Sequence, residues 1–229
     1  MKKNLVILSG AGMSQESGLK TFRDMDGLWE NYNVEDVASI DGWRRDPHLV
    51  MDFYNQRRKQ LDEVEPNAGH LGVAALEKWF NVTVITQNVD DLHERAGSTN
   101  VIHLHGELRK VRSTFDENLV YTLDGWELKM GDKCGEGSQL RPHIVWFGEP
   151  VPAFYDAIPV VEKADIVVVI GTSLAVYPAA GLVNYAKPGA HIFVVDPNRP
   201  ETTVHNAVYI DEKASVGVEI LKKKLEKLK

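Results

Sequence analysis

Two histidines two residues apart, His103 and His105, close a short apolar stretch. An imidazole with an ordinary pKa of about 6.5 suits proton removal near neutral pH, although histidines so spaced also read as a structural pair or as part of a metal site. Upstream, Gln87-Asn88-Val89-Asp90 ends a β-branched run and offers amide and carboxylate groups where open α/β sheets place ligand contacts. The same residues also read as a polar turn with a helix cap at Asp90 or Asp91. Gly10-Ala11-Gly12-Met13-Ser14 follows another apolar run, and glycines there let the backbone approach a phosphate at a helix N-terminus. Gln15 stands where the dehydrogenase fingerprint carries its third glycine, which places hydride transfer last among the candidate chemistries. Gly171-Thr172-Ser173 ends a third run with small residues and hydroxyls. Tyr54 and Arg57, three apart, set a hydroxyl beside a guanidinium on one face if helical. With Arg58 and Lys59 they also suit a plain charged surface.

The elements that position these groups alternate. Residues 5–8 are a continuous apolar run ending in small polar and glycine residues, and Asn81–Thr86, Ile166–Ile170 and His191–Val195 are similar runs rich in β-branched residues, as expected of buried parallel strands. Residues 69–79 and 177–185 are helix-like, and 218–228 reads as an amphipathic helix packed on the sheet. The pattern predicts an α/β fold: a Rossmann-like parallel sheet with helices on both faces. Residues 21–61 and 107–140 break the alternation, so they are expected to form a smaller inserted domain, with 1–20, 62–106 and 141–229 forming the Rossmann-like unit.

Composition narrows the function. The 229 residues are 43% hydrophobic and 26% charged, enough for a full core and ordinary for a globular protein. A net charge of −7 disfavours a general affinity for nucleic acid. No apolar run approaches the roughly 20 residues needed to span a bilayer, and the N-terminal apolar run passes straight into the glycine loop instead of forming a signal peptide. A cytoplasmic location is the expectation. The one cysteine, Cys134, can form no internal disulfide and cannot by itself hold a structural zinc.

The glycine loop continues as Glu16-Ser17-Gly18-Leu19-Lys20-Thr21-Phe22-Arg23-Asp24 and then Gly27-Leu28-Trp29. Together with Gln87 to Asp90, His103-Leu104-His105-Gly106-Glu107, Arg141-Pro142-His143-Ile144-Val145-Trp146-Phe147-Gly148-Glu149 and Gly171 to Ser173, it resembles the sirtuin family, in family order and over nearly the whole chain. The resemblance implies a protein lysine deacylase that consumes NAD: the acyl oxygen of a modified lysine attacks the nicotinamide ribose, nicotinamide leaves, and the acyl group ends on ADP-ribose. It implies that His105 is the general base, and that Asn88 and Asp90 contact the nicotinamide ribose and carboxamide. Gly10, Ala11, Gly12, Ser14, Gln87 and Val89 would belong to the NAD site, as would the loop residues Thr21, Phe22, Arg23 and Trp29. Gly171, Thr172, Ser173, Asn198 and Ala214 would lie against the adenosine end. Tyr54 and Arg57 look like the pair that binds the distal carboxylate in sirtuins that remove succinyl, malonyl or glutaryl groups. Phe147, Gly148, Glu149 and Val151 resemble the segment that pairs with the backbone of an acyl-lysine-bearing peptide.

The chain departs from the family at the zinc. Most sirtuins carry two CxxC pairs between the HG and LRPH motifs, but Ser113 stands near the first expected cysteine and only Cys134 remains near the second pair. No structural zinc is expected, and the apolar residues of the 119–126 stretch are expected to pack the small module in its place. Two other functions compete with deacylation: an NAD or ADP-ribose binding module without turnover, and an ADP-ribosyltransferase or NAD hydrolase.

Overall fold

The structure, a computed structural model, describes residues 1–19, 32–200 and 203–229. Its strands in chain order are β1 (Asn4–Ser9), β2 (Asn81–Thr86), β3 (Val101–His103), β4 (Gly106–Ser113), β5 (Val120–Thr122), β6 (Leu140–Ile144), β7 (Ile166–Ile170), β8 (His191–Val195) and β9 (Ala207–Ile210). Six of them form a parallel sheet in the order β3-β2-β1-β7-β8-β9. Side chains alternate across it. Leu5 and Ile7 of β1, with Ile166, Val168 and Ile170 of β7, enter one core; Val6 and Leu8, with Val167 and Val169, enter the other. Both faces are therefore covered, which is why these strands read as unbroken apolar runs.

Helices α5 (Ala68–Ala75) and α8 (Ala214–Leu225) cover the first face, and α7 (Pro152–Glu162) the second. Asn67 starts α5 with a reciprocal cap: its side chain accepts from the His70 backbone, and the Asn67 N–H donates to His70 Nδ1. The helix expected over 69–79 ends early and tightens into a 3-10 turn at Leu76–Lys78. The one expected over 177–185 is wholly 3-10, Ala179–Tyr185, where Gly181 weakens α-helical propensity.

The smaller sheet is antiparallel, in the order β5-β4-β6. The short helices α2 (Val34–Val37) and α3 (Ile40–Arg45) and the long α4 (Pro47–Asp62) share its core. Helix α4 starts with the Asp46 side chain accepting from Leu49 N–H and proline in its first turn, and it buries Val50, Met51, Phe53, Tyr54, Arg58 and Leu61 at helical spacing.

The 119–126 stretch packs this module only in part: Leu123 and Trp126 are half-buried against it. Val120 and Tyr121 are exposed because β5 is an edge strand paired only with β4. Met51, Val111 and Leu128 form the buried cluster, flanked by Trp43, Leu140 and, from this stretch, Leu123. Polar groups of α4 complete the tie. Asn55 accepts from Leu128 N–H at 2.9 Å and donates to its carbonyl at 3.0 Å. Arg58, fully buried, donates to the carbonyls of Leu108 (2.7 Å) and Trp126 (3.3 Å), and burial lowers its pKa to about 10. The Lys59 ammonium sits 3.6 Å from the Trp126 ring centroid. Arg58 is thus a buried structural cation, whereas Lys59 stays exposed over the indole.

Where zinc cysteines would stand, Cys134 donates to Ser113 Oγ at 3.4 Å, and that hydroxyl also accepts from the backbone N–H groups of Phe115 and Asp116. Among the described residues no group of three or more His, Cys, Asp or Glu side chains is disposed to hold a metal. Asn55→Ala, which orphans two buried backbone groups of Leu128, should lower stability by about 2 kcal/mol in urea unfolding; a change near zero would remove this tie from the account of the small module.

Candidate active site

The carboxyl ends of the large sheet stop in register. Ser9 pairs with Thr86 and Ile170, Thr86 with His103, and Ile170 with Val195. The chain segments leaving those ends build one cleft of about 750 Å³, within the range of small-molecule and cofactor pockets.

Its floor depends on glycines. Gly10 N–H donates to the Ile170 carbonyl and Gly12 N–H to that of Gly171. A Cβ on Gly10 would come within 2.6 Å of Thr172 Cβ, one on Gly12 within 2.9 Å of Gly171 Cα, and one on Gly171 within 2.3 Å of Met13 N. Gly171 also has φ +61. The loops after β1 and β7 thus touch backbone to backbone, and the helix that follows, α1 (Gly12–Gln15), is a single turn.

Ser14 on that turn is the hub of a buried polar network. Its hydroxyl donates to Asp90 Oδ2 at 2.9 Å and accepts from Asn88 Nδ2 at 3.0 Å, with His70 Nε2 at 3.4 Å. Because His70 Nδ1 accepts from Asn67 N–H, its proton lies on Nε2, facing Ser14. The other Asp90 oxygen accepts from Leu92 N–H, starting the short helix α6 (Leu92–Arg95). Burial raises the Asp90 pKa, against the hydrogen bonds from Ser14 and Leu92 and the charges of His103 and Arg57. Asn88 N–H donates to Thr86 Oγ1, which also takes the Ser9 hydroxyl proton.

His105 lines the cleft, its Nδ1 3.0 Å from the Gln87 carbonyl. That carbonyl can only accept, so the proton sits on Nδ1 and Nε2 keeps a lone pair. Burial lowers the His105 pKa, opposed by the Gln87 hydrogen bond, so the ring is a neutral base near pH 7.

The opposite wall comes from α4 and the segment after β6. Tyr54 and Arg57, one helical turn apart, both line the cleft. The Tyr54 oxygen accepts from Trp146 Nε1 at 2.9 Å, and its own proton has no acceptor among the described residues. Burial raises the Tyr54 pKa and lowers that of Arg57, whose charge is favoured by Tyr54 and Asp90. Trp146 is held in turn by Arg141, whose guanidinium carbon lies 3.6 Å from the indole centroid. The Glu149 carboxylate grips Arg141 at 2.6 and 2.9 Å, accepts from Trp146 N–H, and lies 3.3 Å from Arg112. Phe147 uses its backbone N–H and C=O on Ala38 and Ile40, whereas those of Gly148 have no partner among the described residues.

Every described residue of the expected set lines this cleft. Gly10, Ala11, Gly12 and Ser14 come from the first loop, Gln87 to Asp90 from the second, and Gly171 to Ser173 from the third; His105, Tyr54, Arg57, Phe147, Gly148, Glu149, Val151, Asn198 and Ala214 complete it. Thr21, Phe22, Arg23 and Trp29 lie outside the described residues. Sequence reasoning missed Trp146 as a wall residue, although its indole N–H needs a partner when buried. It also missed Asp196, which follows β8 at the same sheet end that flags Asn198, and the 175–178 segment, whose small and apolar residues carry no chemical signal.

The Sir2 family model matches residues 10–178. The chain is 58% identical over 229 residues to the NAD-dependent protein deacylase of Bacteroides thetaiotaomicron, covering 97% of this chain and 98% of the relative. It is 54% identical to the NAD-dependent protein deacylase of Helicobacter pylori, covering 97% of each. Among solved structures it superposes with a TM-score of 0.88 on a Sir2 homologue in complex with NAD, at 41% identity over 99% of this chain and 90% of that one. The ADP-ribose complex of a Sir2 homologue carrying a serine-to-alanine mutation gives the same score at 42% identity, over 99% of this chain and 94% of that one. A family match across most of the chain, relatives this similar along their full length, and the cleft at the sheet's carboxyl edge agree on one assignment: the chain belongs to the Sir2 family.

Proposed function

We propose that this chain, an NAD-dependent protein deacylase, preferentially removes acidic acyl groups such as succinyl and malonyl from protein lysines, and acetyl less well. The observation that carries the preference is the Tyr54 and Arg57 pair on the wall of the cleft that holds His105. A guanidinium in a poorly hydrated cleft, beside a buried hydroxyl with a proton to give, matches a planar carboxylate. An acetyl group offers no charge to that pair.

When bound in this cleft, NAD would supply an electrophilic ribose carbon for the acyl oxygen and nicotinamide as the leaving group. In our reading the chain contributes position and proton transfer. The loops of Gly10, Gly12 and Gly171, packed backbone to backbone, form the cleft floor on which the dinucleotide would lie. Asn88 and Asp90, fixed through Ser14, present amide and carboxylate to the nicotinamide end. His105 Nε2 takes a ribose hydroxyl proton while Nδ1–H stays on Gln87. The unpaired backbone of Gly148 receives the substrate peptide as an added strand, and Glu149 acts through Arg141 and Trp146 on the wall instead of by direct contact. The adenosine end lies against Thr172, Ser173, Asn198 and Ala214.

Among the described residues no helix is long and apolar enough to cross a membrane. With a net charge of −7, the reading is of a cytoplasmic enzyme acting on acyl-lysine proteins, not on nucleic acid.

Three measurements check this. Arg57→Met should lower kcat/KM for a succinyl-lysine peptide about 10- to 100-fold, the loss of a charged hydrogen bond, while an acetyl-lysine peptide changes less than about threefold; equal losses on both would remove the acyl-reading role. Wild-type turnover should rise with pH on an acid limb whose midpoint lies below the ordinary histidine value, because His105 must be neutral to accept a proton and burial lowers its pKa. His105→Ala should erase that limb and cost about 10²- to 10⁴-fold in kcat. Prolonged dialysis against a chelator should leave the unfolding midpoint unchanged, and elemental analysis should find no stoichiometric zinc. A metal-dependent midpoint would refute the zinc-free module.

A further inference from the structure

His103 and His105 use one nitrogen in the same way. The two Nδ1 atoms lie 3.0 Å from consecutive carbonyls of the turn after β2, His103 on Asn88 and His105 on Gln87. At Nε2 they differ. That of His105 has no partner among the described residues, whereas that of His103 lies 2.7 Å from Glu94 Oε1. A carbonyl and a carboxylate only accept, and a neutral imidazole has one N–H, so it can satisfy one of the two. The imidazolium satisfies both.

We infer that His103 is a positioning residue that works as an imidazolium: held between Glu94 and the Asn88 carbonyl, it fixes the turn carrying Asn88 and Asp90, and turnover slows as pH rises and the ring loses its proton. Asn88 is otherwise held by its N–H on Thr86 and its amide on Ser14. When the ring becomes neutral, the remaining N–H goes to the carboxylate, the stronger acceptor. The His103 Nδ1 lone pair then faces the Asn88 carbonyl, and the turn loses its third anchor.

The surroundings favour the charged form. The His103 side chain is 8% exposed, and burial alone would neutralise it. The hydrogen bond and charge of Glu94 from α6, the Asn88 carbonyl and Glu107 from β4 outweigh that cost, so its pKa is raised. Lys110, also from β4, pairs with Glu107 at 2.7 Å and helps keep Glu94 ionised. His93, the neighbouring ring on α6, is held neutral by burial and adds no competing charge, and the Asp90 carboxyl feels the His103 cation. The sign is opposite to that of His105: one imidazole must be charged and the other neutral, so turnover rises and then falls with pH.

This inference rests on the roles proposed for Asn88 and His105, but its first test does not. Long-range proton–nitrogen NMR of the ¹⁵N-labelled full chain reads the protonation of each histidine ring directly. At neutral pH both His103 nitrogens should be protonated, with a midpoint above the ordinary value of about 6.5. Nicotinamide release at saturating NAD and acyl-peptide should fall about five- to tenfold on the alkaline side with that same midpoint, the loss of one hydrogen bond. In Glu94→Gln, an amide can donate to Nε2 while neutral His103 keeps Nδ1–H on Asn88. The His103 midpoint should then move to lower pH and the alkaline decline flatten, with the acid limb unchanged; a merely structural pair would change the rate without moving the limb. A neutral His103 at pH 7, a titration with no matching decline, or an unaltered profile in Glu94→Gln would overturn the inference. Absence of turnover on every acyl-peptide would instead refute the functional reading, leaving the NMR result to decide the charge of His103.

Discussion

The contact on which the site depends is the approach of two loops with no side chain between them. Gly10 and Gly12 lie against Gly171 so closely that a single Cβ on any of them would overlap a backbone or side-chain atom. The approach is set by neighbouring parallel strands, β1 and β7, ending in register and turning the same way. It seats the one-turn helix with Ser14 over the end of β2, where the hydroxyl joins Asn88 to Asp90. Methyl groups between the loops would shift Ser14 and separate the amide and carboxylate it holds together.

Around that floor, the reactive side chains are tuned by burial and by acceptors fixed in place. His105 is a neutral base because its other nitrogen is tied to a carbonyl in a poorly hydrated wall. Tyr54 presents a proton because Trp146 already supplies the one its oxygen accepts, and Trp146 is steadied by the stacked Arg141 that Glu149 clamps. The path from Glu149 to Tyr54 runs through partners with little freedom, so the wall proposed to receive the acyl group is preorganised. The small module that carries α4 is held by Asn55, Arg58 and an apolar cluster, so Tyr54 and Arg57 project from a helix tied down along its length.

Much of this was legible in the sequence. The strands Asn81–Thr86, Ile166–Ile170 and His191–Val195 stand as their β-branched runs predict, because strands buried on both faces carry apolar residues at consecutive positions. Tyr54 and Arg57 reach the cleft as their spacing on one helical face allows. Other features were not legible. Strands β3 and β9 sit at the sheet edges and are only three and four residues long, too short to stand out as strand runs. The 119–126 stretch looked like packing material throughout, but the edge strand exposes Val120 and Tyr121 and leaves Leu123 and Trp126 half-buried. Arg58 looked like surface charge and proves to be a buried tether, because the partners that make its burial tolerable come from distant parts of the chain. His103 looked like a structural companion of His105; the Glu94 carboxylate at its far nitrogen, supplied by another element, separates the two.

The central claim is that one cleft joins consumption of NAD to recognition of an acidic acyl group. The most direct test is mass spectrometry of the products formed from NAD and a succinyl-lysine peptide. The account predicts nicotinamide, the unmodified lysine peptide and O-succinyl-ADP-ribose in equal amounts. Free ADP-ribose accumulating while the peptide stays succinylated would contradict it, and would make the chain an NAD hydrolase that does not use the carboxylate-reading wall.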